Sequence, residues 1–270
     1  MRFIVILLLT FGCAVNGFAA QPALDKLLTA DEAKAWGGVG RINMKNVGFC
    51  TGALIAPDLV LTAAHCVYTP RTGRLIKPEN IEFLAGWRNG RAAATRKARR
   101  IIVDKKYAPM RRNKVDNVAN DIALIKLELP ITANFIKAFG YHKNPKSGDN
   151  VEVVSYAQGR AEAPSIEKSC RVLGVDPRAL VLNCNVDFGA SGSPIFIVEN
   201  GVPKIASVVS AKAVIGGQKV ALGASLGAPL DDLLTQIHSG GAVFQGKRPG
   251  HKSIAEQLGL SRSVAKILRP

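Results

Sequence analysis

The sequence predicts an all-β fold in two packed halves, and three observations point there. From Gly37 onward, short apolar runs rich in β-branched residues recur between Gly, Pro and Asn: 59–63 (LVLTA), 81–84, 101–103, 122–127, 151–154, 194–198 and 205–209. Strands of that length with turn residues between them read as a sandwich or barrel. A polar stretch, 141–150 (YHKNPKSGDN), then divides the β region into portions of similar size, about 38–140 and 150–237. Each portion holds one pair of cysteines. No repeat of fixed period and no low-complexity linker interrupts the pattern.

The flanks read differently. Arg2, the apolar run 3–9 and the small residues of 17–19 (GFA) have the form of a secretory leader over 1–19. Its apolar core is too short for a membrane span, so no stable span is expected once it is removed. An N-terminal segment follows over 20–37, in which 24–36 (LDKLLTADEAKAW) reads as a short helix or pro-segment. The β region, 38–237, closes with a helix over 229–237 (PLDDLLTQI), and 238–270 is a basic tail. Within the tail, 253–268 (SIAEQLGLSRSVAKIL) has apolar residues at helical spacing. It is expected to dock or face solvent as a helix, since an exported chain has no call for a DNA-reading motif and the supporting helix is missing.

Composition sets outer limits. A chain of 270 residues with 47% hydrophobic and 21% charged residues is globular, which excludes a disordered chain and a multi-spanning membrane protein. The formal charge is +16, of which the leader carries only Arg2. Much of the excess lies in 91–100 (RAAATRKARR) and 105–114 (KKYAPMRRNK). A solubilising surface is the plainer expectation, with an acidic surface partner as the alternative. Only Tyr107 interleaves with these cations, so the stacking platform of a single-strand binder is missing and no specific nucleic-acid binding is expected.

With Cys13 in the leader, Cys50, Cys66, Cys170 and Cys184 remain. An even number in an exported chain predicts two disulfides. Three pairings are open, and the local one would leave each half with its own clamp. Zinc competes poorly because no C-x-x-C or H-x-x-x-H spacing occurs, and no metal is expected.

Three segments carry chemistry. In 61–66 (LTAAHC), His65 ends an apolar strand beside Cys66, so a bridge to Cys50 would fix the direction of its imidazole, as a general base requires. In 120–125 (NDIALI), Asp121 leads an apolar strand, where its burial is costly unless a partner such as an imidazole N–H satisfies it. In 187–194 (DFGASGSP), glycines on both sides of Ser191 permit a sharp turn that exposes its hydroxyl. That turn would gather the Gly189 and Ser191 amides around a developing oxyanion.

Together LTAAHC, NDIALIKL and GASGSP, in that order, closely resemble the trypsin-like serine peptidases of the chymotrypsin fold, over about residues 38–237. The resemblance implies two packed antiparallel six-stranded β-barrels with a C-terminal helix and an active site between them. It implies His65, Asp121 and Ser191 as catalytic triad, Gly189 and Ser191 as oxyanion hole, and Asn185 and Ser210 as substrate-binding residues. The implied activity is that of a secreted or periplasmic serine endopeptidase acting on protein or peptide substrates without a cofactor. A catalytically silent binding protein using its basic surface is the alternative. Two departures qualify the likeness. Ala190 replaces the aspartate that pairs with a new N-terminus in digestive members, which places the chain nearer the bacterial glutamyl-endopeptidase branch. Asn185 stands where trypsin has its selecting aspartate, with Asp187 close by in sequence, and 205–225 contains no histidine of the glutamate-selective kind.

Overall fold

In a computed structural model the protein is described over residues 24–27, 29–110, 115–134, 136–176, 179–238 and 266–268. The expected leader, 1–19, lies outside these residues, as does most of the basic tail.

Six antiparallel strands close the first barrel. In chain order they are β1 (Val39–Met44), β2 (Gly48–Ala56), β3 (Leu59–Thr62), β4 (Ile81–Ala85), β5 (Ala94–Val103) and β6 (Ala123–Leu127). Around the barrel the order is β1-β2-β3-β6-β5-β4, closed by β4 on β1. Ile42, Leu54, Val60, Phe83, Ile125 and Leu127 fill its interior. Alternation explains the strands: in β5 the even positions turn inward as far as Ala98, while Thr95, Lys97 and Arg99 face solvent. Lys97 and Arg99 of the basic run therefore lie on the outer face of a barrel strand.

The second barrel uses β7 (Asn150–Ala157), β8 (Arg160–Asp176), β9 (Ala179–Leu182), β10 (Pro194–Glu199), β11 (Val202–Ile215) and β12 (Gln218–Ser225). Its order is β7-β8-β9-β12-β11-β10, closed by β10 on β7. Val153, Val172, Leu180, Leu182, Ile195 and Val209 pack inside. Between the barrels a third apolar layer joins Leu61, Ile122 and Leu124 to Tyr156, Phe196 and Ile205. Helix α1 (Gly227–His238) lays Leu230 and Leu233 onto that layer, much where a closing helix is expected.

The N-terminal segment is only partly helical. Asp25–Lys26 pairs with β8, and the helix is reduced to Ala30–Lys34, capped by reciprocal bonds between Thr29 and Glu32. The helix expected over 253–268 falls mainly outside the described residues. Its last three, Lys266–Leu268, are extended and pair with β11. No helix among the described residues is long and apolar enough to cross a membrane.

Both disulfides are local: Cys50–Cys66 and Cys170–Cys184, with sequence separations of 16 and 14. Closing loops of that size is worth about 3 kcal/mol each in the chain-entropy model. Reduction, or the double substitution Cys170→Ala with Cys184→Ala, is expected to lower the melting temperature, by roughly 12–24 °C when both bridges are lost. An unchanged melting curve would contradict this.

Candidate active site

The barrel junction gathers the three sequence segments. Strand β3 ends at Thr62 and runs into a 3-10 turn, Ala64–Val67, that carries His65. Asp121 precedes β6, which pairs with β3 in register Thr62↔Ala123, so the two ends lie side by side. Asp121 is fully buried, and its carboxylate is satisfied as burial demands. Oδ1 accepts the His65 amide at 2.7 Å. Oδ2 lies 2.7 Å from His65 Nδ1 and accepts the Ser210 hydroxyl at 2.5 Å. A carboxylate can only accept, so Nδ1 carries a hydrogen, and in the neutral ring the lone pair lies on Nε2.

Ser191 sits on the turn between β9 and β10. Gly189 and Gly192 have φ of 90° and 74°, a region that favours glycine. A Cβ on Gly192 would collide with Thr62 Oγ1 and the Thr51 carbonyl, and would lie 2.9 Å from the Ala63 amide nitrogen. The turn is thus pressed against the strand end that leads to His65. A Cβ on Gly189 would meet the Phe49 ring at 2.5 Å. Ser191 Oγ and His65 Nε2 are both buried, and neither has a hydrogen-bond partner among the described residues. No hydrogen bond joins these two atoms.

The amides of the turn divide into two sets. Those of Ala190, Gly192 and Ser193 are spent on the carbonyls of Asp187, Val209 and Ala190. Those of Gly189 and Ser191, the expected oxyanion donors, make no backbone bond among the described residues.

Thr51 was not legible as a site residue. It is fully buried, donates from Oγ1 to the Gly189 carbonyl at 3.0 Å, and accepts the Tyr156 amide at 3.0 Å. Its own amide donates to the Ser191 carbonyl at 2.9 Å, and its carbonyl accepts Thr62 Oγ1 at 2.9 Å. One threonine of the first barrel thereby ties down the turn of the second that carries Ser191. The only sequence signal is a pair of threonines inside otherwise apolar strands.

The remaining expected residues are placed as follows. Ser210 lies on β11, but its hydroxyl is turned inward to Asp121 and the residue is fully buried. Asn185 is exposed, and its amide donates to both carboxylate oxygens of Glu167, at 3.1 and 2.9 Å. Asp187 is exposed and ion-paired with Lys212 at 3.1 Å, while Lys212 also lies 4.9 Å from the Phe188 ring centre. Cys50, His65 and Cys66 cluster within 4.8 Å, but both sulfurs are spent in the disulfide and offer no thiolate to a metal.

Glu167 is fully buried beneath Asn185, and burial raises its pKa, opposed by the Asn185 amide and the Arg160 charge. The folded state therefore retains a proton that the unfolded chain releases, so stability falls as pH rises from the ordinary glutamate value through the raised one. Glu167→Gln is expected to flatten that slope in melting curves taken across the weakly acidic range; an unaltered slope would contradict it. Gly192→Ala is expected to destabilise the fold by on the order of 3 kcal/mol in chemical denaturation, through its positive φ and its collision with Thr62.

The trypsin family model matches residues 30–181, which include His65 and Asp121 and end before Ser191. The chain is 32% identical over 97 residues to the modular serine protease of Drosophila melanogaster, covering 35% of this chain and 15% of that protein. It is 30% identical over 155 residues to Trypsin Blo t 3 of Blomia tropicalis, covering 54% and 53% respectively. The matches thus span about half, or much less, of the length of these curated relatives. Among solved structures, a Glu endopeptidase superposes with a TM-score of 0.67 at 18% identity, over 82% of this chain and 98% of the other. The thermostable serine protease AL20 from an extremophilic microorganism gives 0.62 at 16% identity, over 77% and 100%. At those identities the structures speak for the fold. With more than half its length matched by the family model and two barrels of this kind, the chain belongs to the trypsin family.

Proposed function

We propose that the protein is a serine endopeptidase in which Ser191 is nucleophile, His65 general base and acid, and Asp121 the orienting carboxylate. The observation that carries this reading is the His65–Asp121 contact at 2.7 Å, which turns Nδ1 to the carboxylate and leaves Nε2 of the neutral ring to accept a proton. Ser191 Oγ attacks a peptide carbonyl as its proton passes to His65 Nε2, and the Gly189 and Ser191 amides receive the oxyanion. The imidazolium returns that proton to the leaving amine, giving an acyl-enzyme. Water, deprotonated by the same nitrogen, then releases the acid and restores the serine.

Activation does not use an N-terminal ammonium ion. Ala190 is buried and uncharged, and Thr51 instead secures the turn from the other barrel. Nor does the site favour Lys or Arg at the cleaved bond: Asn185 is neutral, and Asp187 is already paired with Lys212. The leader expected from the sequence over 1–19 and the two disulfides support export to an oxidising compartment, a periplasm or the exterior.

Ser191→Ala and His65→Ala are each expected to lower kcat for peptide hydrolysis by on the order of 10⁴-fold or more with the fold intact, and Asp121→Asn by about 10⁴-fold. Turnover near that of the unmodified protein in either of the first two variants would refute the assignment. A catalytically silent binder would show no turnover before substitution.

A further inference from the structure

We propose that the C-terminal strand Lys266–Leu268 occupies the edge of β11 on which a polypeptide substrate lies, and so competes with substrate from within the same chain. The inference rests on the peptidase reading above.

The geometry of β11 is the starting point. Its first half is paired on one edge by β10, in a ladder that begins at Pro194↔Val208. Beyond that pair, β10 gives way to Ser193, Gly192 and Ser191, and two further bonds, Val209 N–H to Ser193 and Gly192 N–H to Val209, carry the contact into the nucleophile turn. The opposite edge of β11 is taken by β12 from Ser207↔Ser225 to Ile215↔Gln218, and Lys204 and Ile205 pair with Gly140 and Tyr141. The edge facing Ser191 is therefore vacated by β10 past Val209. An unpaired strand edge is a template for another extended chain.

The chain itself supplies that strand. Lys266–Leu268 pairs antiparallel with β11 in register Lys266↔Val214, Ile267↔Ala213 and Leu268↔Lys212. Its direction matters most. As it advances from 266 to 268, its partners retreat from 214 to 212, so it runs toward Ser210, whose hydroxyl is bonded to Asp121. Lys212, at the forward end of the pairing, is also the residue that reaches across to Asp187 and Phe188, just before Gly189. A polypeptide laid on this edge in the same direction would carry its next carbonyls toward the nucleophile turn. The tail thus holds the position and polarity of the acyl-side part of a substrate. Three residues pair weakly by themselves, but this strand belongs to the same chain as β11, so its pairing is an intramolecular event rather than a bimolecular one.

The test keeps the full chain and changes only the tail. Successive residues of a strand point their N–H groups to opposite sides, so the double substitution Lys266→Pro with Ile267→Pro removes a ladder donor in either phase. Three results are expected. Amides within 212–214 exchange faster in the variant. A labelled synthetic peptide of residues 261–270 (SRSVAKILRP) binds the variant at least about fivefold more tightly than the unaltered chain, as expected for freeing one or two backbone bonds. KM for peptide substrates falls by a similar factor while kcat is unchanged. Equal exchange in both proteins would overturn the pairing, and equal peptide affinity or an unchanged KM would overturn the competition. Absence of hydrolysis by both proteins would instead sink the peptidase reading, leaving exchange and peptide binding to decide whether the edge is occupied.

Discussion

A buried carboxylate organises the junction between the barrels. Asp121 has no access to water, and an ionised carboxylate so placed must be met by donors or be lost to protonation. The donors come from both barrels: the amide and ring of His65 from the first, the hydroxyl of Ser210 from the second. Satisfying Asp121 therefore does two things at once. It sets the imidazole's tautomer, and it ties β11 to the end of β3. Removing one partner from such a group typically costs 3–5 kcal/mol, far more than a surface pair contributes.

The second barrel answers with a turn that only glycine can build. Gly192 lies so close to Thr62 and the Thr51 carbonyl that no side chain fits, and Gly189 packs as tightly on Phe49. Thr51 then takes hold of the turn at both ends, donating to Gly189 from its hydroxyl and to Ser191 from its amide. Steric exclusion fixes where the turn sits, and hydrogen bonds fix which amides remain over for an incoming oxygen. This arrangement gives Ala190 a plain physical meaning. A turn anchored from the facing barrel needs no carboxylate and no new N-terminus to hold it.

Much of this could be read from residues alone, and the limits have physical causes. Strands with dense apolar runs, such as β3 and β6, stand out because burial on both faces leaves few polar positions. β8 does not, since Pro164, Gly174 and several charges interrupt it. The structure shows why they are tolerated: the ladder shifts register between Arg160 and Ser165 and again between Val172 and Gly174. His65, Asp121 and Ser191 were legible because each sits in a locally odd setting. Thr51 was not, because a threonine in a strand is ordinary until its partners 105 and 138 positions away are known. Ser210 was expected in the cleft wall and proves to be a partner of Asp121, a distinction that depends on which way one hydroxyl turns. The tail misled for a further reason. Apolar residues at helical spacing say nothing of an available sheet edge, and at Lys266–Leu268 pairing with β11 outweighs local propensity.

The central claim is that Ser191 is a nucleophile made reactive by a tautomer-locked His65. Its most direct measurement is intact-mass and peptide-mapping mass spectrometry after treatment with a fluorophosphonate. The account predicts a single stoichiometric adduct on Ser191 that disappears when His65 is replaced by alanine. An adduct elsewhere, none at all, or one on Ser191 that forms equally fast without His65 would contradict it.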